Sequence, residues 1–110
     1  MADQDPDDAA LTRALALPPR LALGSFPTAL EQVRGLVDDD VELWVKREDQ
    51  AGGPYGGNKV RKLEYLLAPL AAGTRVLTSG GTGSHHVLAT AVYGRRRGLL
   101  VDAVLYPQPA

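Results

Sequence analysis

The chain has 110 residues, 45% hydrophobic and 23% charged, enough for one soluble globular domain at most. Twelve basic against thirteen acidic residues leave a net charge of −1, which offers no electrostatic footprint for nucleic acid or an anionic membrane. With no cysteine there is neither a disulfide framework nor a thiolate metal site. No apolar run approaches membrane-spanning length, and the acidic opening Met1-Ala-Asp-Gln-Asp-Pro-Asp-Asp lacks the basic start of a signal peptide. A cytoplasmic location is the resulting expectation.

In chain order, residues 1–10 carry four aspartates and a proline with little to bury, and residues 1–20 are expected to form a flexible acidic tail. Within it, Leu11 to Leu17 suits a short helical turn that Pro18-Pro19 stops. Residues 21–110 are expected to hold the folded part. Leu21-Ala-Leu-Gly-Ser-Phe-Pro-Thr reads as an extended arm, with Thr28 capping a helix to about Val37 and Asp38-Asp39-Asp40 making a turn. Val41 to Arg47 has the β-branched and aromatic content of a strand, with Val41, Leu43 and Val45 on one face. Glu48 to Gly57 is a glycine- and proline-containing polar loop that delivers a helix running from Asn58, its expected N-cap, toward Ala72.

Lys59 stands out in that helix. At about 100° per residue it shares its direction with Leu63, Leu66 and Leu70, while Arg61 and Glu64 point the other way. Loss of hydration in an apolar stripe and the positive end of the helix dipole both disfavour a lysine cation there, and a neutral amine is a nucleophile suited to a Schiff base. The ordinary alternative is a lysine that snorkels past the apolar face to water. Spacing alone leaves both open.

Arg75 to Thr78 is read as a short strand, Ser79-Gly80-Gly81-Thr82-Gly83 as a tight turn, and Ser84 to Arg97 as a helix. Three arginines complement that helix's dipole and Gly98 ends it. Val101 to Tyr106 is a further strand, so residues 75–106 make a βαβ unit with a parallel strand pair. A glycine-rich turn at the carboxyl end of such a strand offers N–H groups to an anion, or is simply a strand-to-helix turn capped by Ser84. It lacks the G-x-G-x-x-G spacing, and the earlier loop is not a P-loop, because Asn58 separates the glycine from Lys59 and Val60 stands where Ser or Thr is needed. His85 and His86 are adjacent, so on a helix they diverge by about 100° and do not chelate one metal. No metal site is expected; one histidine belongs to the site and the other is packed or solvated.

Three blocks carry a family resemblance. Leu43-Trp-Val-Lys-Arg-Glu-Asp49, Gly56-Gly-Asn-Lys-Val-Arg-Lys-Leu-Glu-Tyr-Leu-Leu67, and Thr78-Ser-Gly-Gly81 followed by Ser84 resemble the 1-aminocyclopropane-1-carboxylate deaminase/D-cysteine desulfhydrase family. Phe26-Pro27-Thr28 resembles that family's entry motif, and the likeness runs from about Leu23 to Tyr106. The resemblance implies an α/β chain with a short parallel sheet, part of the tryptophan synthase β-like fold (fold type II). It also implies pyridoxal 5′-phosphate as cofactor and a deaminase (a hydrolase) or a desulfhydrase-like lyase acting on a small amino acid. By the same resemblance Lys59 forms the Schiff base, Asn58 lies beside it at the cofactor, and Ser84 contacts the substrate near its carboxylate. A full-length homo-oligomer is implied as well.

Two departures qualify it. Where the family has Gln-Ser-Asn, this chain has Gly83-Ser84-His85, which puts His85 at the cofactor's ring hydroxyl in place of an asparagine. Family members are also considerably longer, and no second glycine-rich loop for the phosphate occurs here. The expectation is therefore the incomplete amino-terminal part of an enzyme, inactive and unstable alone; the rival is a non-catalytic, partner-dependent α/β remnant.

Overall fold

A computed structural model of the protein describes residues 6–109. The first five residues of the expected acidic tail lie outside that range. From Pro6 to Ala14 the chain is a helix, α1, which begins before the helical turn expected over 11–17 and ends within it. Ala16 takes φ +49 just beyond, and Pro18-Pro19 prevents resumption. Leu11 in α1 and Leu15 just beyond it are exposed.

The helix expected from Thr28 to Val37 is instead a strand. β1 (Leu30–Val33) pairs antiparallel with β2 (Leu43–Lys46), Leu30 opposite Lys46 and Val33 opposite Leu43. Leu, Glu and Gln are good helix formers, but local propensity is a weak prior, and the ladder to β2 overrides it. Nor is Thr28 free to cap a helix: its hydroxyl donates to Glu48 Oε1 at 2.6 Å. Glu48 also accepts from Arg61 Nε and Nη2 at 2.6 and 2.8 Å, and the Arg61 guanidinium sits 4.3 Å from the centre of the Phe26 ring. Arm, loop and helix are thus braced on one carboxylate.

Hydrogen bonds from Arg61 and then Thr28 hold the Glu48 carboxyl down at about 2, against an ordinary 4.5. A depressed folded-state value contributes stability that is fully present above the ordinary carboxyl range and lost as pH falls from about 4.5 toward about 2. The denaturation midpoints of the wild type and Glu48→Gln should differ most at neutral pH and converge through that acid window. A gap that stays constant on acidification would show that the brace adds no pH-dependent stability.

The helix α2 spans Lys59–Leu66, shorter than the run to Ala72 because Pro69 stops it. Its buried stripe is Val60, Leu63 and Leu67, the i, i+3, i+7 positions. Leu66 is 57% exposed and Glu64 is 3% exposed, so the sequence-derived wheel is rotated from the true one. Glu64 is buried because the extended arm lies across it: Oε1 accepts the N–H groups of Leu23 and Gly24 at 3.0 and 3.1 Å, and Arg20 Nε is 3.6 Å from Oε2.

The βαβ unit forms as expected, with longer strands. β3 (Arg75–Gly81) absorbs Ser79, Gly80 and Gly81, and pairs in parallel with β4 (Leu100–Tyr106), Arg75 opposite Leu100 and Gly81 opposite Tyr106. α3 (His85–Arg96) connects them. Its Ala89 and Tyr93 meet Val60, Leu63, Leu67 and Leu99 in the core, which the half-buried Leu23, Phe26, Tyr55, Val76 and Val101 extend. Val76 and Thr78 turn inward, whereas Leu77, paired with Asp102, and Val104 are exposed on the other sheet face. No helix of the described residues is long and apolar enough to cross a membrane.

Candidate active site

Ser84 and His85 stand at the start of α3, just past the carboxyl end of β3, the edge at which open α/β sheets bind ligands, and Asn58 and Lys59 stand at the start of α2. Lys59 is the first residue of α2 and is half-buried beside the Val60–Leu63–Leu67 stripe. It lies at the flank of the apolar face; Val60 holds the centre. Asn58 occupies the cap position but does not cap. Its φ and ψ of −66 and −15 are already helical, and its side chain makes no capping hydrogen bond. The chain instead breaks at Gly57, whose φ of +106 suits glycine and few other residues.

On the other side, Ser84 is a true cap: its Oγ accepts the Val87 N–H at 3.3 Å. The N–H groups of His85 and His86 have no intrahelical acceptor at this end of α3. Gly80 makes the geometry possible, because a Cβ there would come within 2.7 Å of Ser84 Oγ and 2.8 Å of Ser84 Cβ. The missing side chain lets the helix start sit directly over the strand end.

His85 and His86 diverge as their adjacency demands. His85 is exposed and its Nδ1 is hydrogen-bonded to the Tyr55 hydroxyl, with ring centroids 6.1 Å apart and planes 28° from parallel. His86 lies on the α3 face that carries Ala89, Thr90 and Tyr93, is half-buried, and its buried Nδ1 has no hydrogen-bond partner among the described residues. Burial first, then the positive charges of Lys62 and Lys59, hold its imidazole below the ordinary value of 6.5. Both α2 lysines are therefore close enough for their charge to be felt at His86.

Tyr55 was not a candidate in the sequence. It stands between Pro54 and Gly56 in a polar loop, and an aromatic residue on a loop fed into a helix start was the available signal. Its carbonyl accepts from the Tyr93 hydroxyl at 2.6 Å, so a buried core residue holds the loop in place.

These residues fit a cofactor held through an amine. Lys59 would supply the amine, His86 Nδ1 is a buried polar atom without a partner among the described residues, and Gly80 keeps the strand end free of side chain beneath Ser84.

Comparison with known proteins bears on the same segment. The chain is 46% identical over 92 residues to the nocardicin C-9′ epimerase of Nocardia uniformis subsp. tsuyamanensis, a match that takes in 82% of this chain and 28% of that protein. It is 42% identical over 90 residues to the D-cysteine desulfhydrase of Salmonella paratyphi A, covering 79% of this chain and 27% of the relative. The crystal structure of an ACC deaminase homologue superposes with a TM-score of 0.74 at 30% identity, over 97% of this chain and 32% of that one. Over the aligned residues, the chain belongs to the 1-aminocyclopropane-1-carboxylate deaminase/D-cysteine desulfhydrase family.

Its α/β architecture is accordingly a partial tryptophan synthase β-like, fold type II one, and the family's enzymes use pyridoxal phosphate. The chain spans just over a quarter of the length of the curated relatives it matches. No model of a protein family matches it.

Proposed function

We propose that this chain supplies the lysine-bearing part of a pyridoxal-phosphate-dependent enzyme acting on a small amino acid, by deamination or by desulfhydrase-like elimination. The observation that carries the reading is the position of Lys59: a half-buried amine at the start of α2 whose charge is felt at His86, in the first turn of the serine-capped helix that follows β3.

Lys59 Nζ would hold the cofactor covalently, and Asn58 beside it and His85 across from it would flank the ring. When bound, the cofactor supplies an electron sink for charge developing at the substrate's α-carbon. The remaining work falls to side chains of this chain. Lys59 Nζ, when not bonded to the cofactor, would be a base able to take or return the α-proton. Ser84 Oγ spends a lone pair on the Val87 N–H and keeps its hydroxyl hydrogen for a substrate carboxylate, which the uncapped N–H groups and dipole of α3 also favour. Burial first, then positive charge at Lys62, favours a neutral His86 ring that can donate or accept a hydrogen bond.

A second reading, a partner-dependent α/β piece without catalysis, is favoured by the exposed sheet face around Leu77 and Val104. Titration with pyridoxal phosphate separates the two. The enzyme reading expects a saturable absorbance change that Lys62→Ala keeps and Lys59→Ala loses. A response equal in all three proteins, or none in any, would favour the remnant.

A further inference from the structure

The Tyr55–His85 contact belongs to neither the core nor the proposed covalent chemistry, and it has a direction. A Tyr hydroxyl has one proton to give, and among the described residues Tyr55 has no acceptor for it other than His85 Nδ1. A phenol is also a stronger acid than a neutral imidazole N–H, so the favoured arrangement has the hydroxyl donating and Nδ1 accepting. With Nδ1 occupied as an acceptor, the ring proton of neutral His85 resides on Nε2.

We infer that Tyr55 is a positioning residue that sets the tautomer of His85, fixing the ring proton on Nε2 as a hydrogen-bond donor. The setting is inherited from the core. Tyr93, 2% exposed and packed among Val60, Leu63 and Leu67, donates to the Tyr55 carbonyl at 2.6 Å. The Gly57 N–H donates to the Glu48 carbonyl at 2.9 Å and closes the other end of the loop. Tyr55 therefore meets His85 from a backbone pinned at both sides, and the hydrogen bond to Nδ1 restricts rotation of an imidazole that is otherwise exposed. A histidine whose outward nitrogen always carries the proton offers the same polarity as an amide N–H. That is how a histidine can stand after Ser84 where an N–H donor toward the cofactor ring is needed. This functional meaning rests on the pyridoxal-phosphate reading above; the tautomer itself does not.

The test is nitrogen NMR of the uniformly labelled protein without cofactor, at a pH above the ordinary histidine range. The expected spectrum has the His85 one-bond N–H coupling on Nε2, and a slowly exchanging Tyr55 hydroxyl proton coupled to Nδ1. Tyr55→Phe keeps the ring and its packing but should lose that coupling and shift both His85 ring nitrogens, while the His86 resonances stay in place. A His85 proton on Nδ1 in the wild type overturns the inference whatever the variant does. So do His85 nitrogen shifts that are unchanged in Tyr55→Phe. Because no cofactor is present, failure of Lys59 to capture pyridoxal phosphate leaves this result untouched, and the converse holds.

Discussion

Replacing Lys59 with alanine should reduce turnover of an amino-acid substrate by at least roughly 10³-fold in the active protein, because covalent capture and the proton-transferring amine vanish together. The fold should survive. Lys59 is half-buried at the edge of the stripe, and the core contacts of α2 belong to Val60, Leu63 and Leu67. Lys62→Ala is the matched control: it is exposed, one turn on, and touches the proposed site only through its charge at His86. Its activity should stay within about tenfold of the wild type, as expected for a charge acting through space. Equal losses in the two variants, measured as turnover on identically folded proteins, would remove Lys59 from its proposed role.

The largest stability loss from a single polar side chain is expected at Glu64. Truncation to alanine strands the Leu23 and Gly24 N–H groups that its carboxylate accepts, in a position 3% exposed, and deprives Arg20 of its partner. Hydrogen bonds to a buried charge and the cost of unsatisfied donors together suggest a loss of roughly 2–5 kcal/mol. Glu64→Gln should lose less, since an amide oxygen still accepts from both donors. The Leu21 N–H, bonded to the Glu64 main-chain carbonyl at 2.9 Å, is indifferent to either change. Denaturant midpoints at unchanged slope are the measurement. An alanine variant as stable as the wild type would mean that the arm is held by packing alone.

The parts legible from sequence were those with strong local signals. The βαβ unit from Arg75 to Tyr106 is one: Ser84 caps, arginines fill the last turn of α3, and Gly98 follows at φ +76. The Lys59 helix is another, although its wheel came out rotated. Three leucines were assigned to one face, but the arm from Leu21 to Gly24 buries Glu64 instead, and no periodicity reveals a neighbour supplied by distant sequence. The same limit explains β1. A helix is expected over residues 28–37, and pairing with Leu43–Lys46 makes Leu30–Val33 a strand instead. Among the proposed site residues, Lys59, Ser84 and His85 stand out in the sequence by their motifs. Tyr55 does not, because its role depends on a contact with a histidine thirty positions away.

The proposed role of Lys59 is to hold the cofactor. Its most direct test is borohydride reduction of the protein incubated with pyridoxal phosphate, followed by digestion and peptide mapping. The pyridoxyl group should be found on Lys59 in the Gly56–Arg61 region and not on Lys62 or Lys46. Modification of Lys62, an even spread over exposed lysines, or no stable modification at all would contradict it.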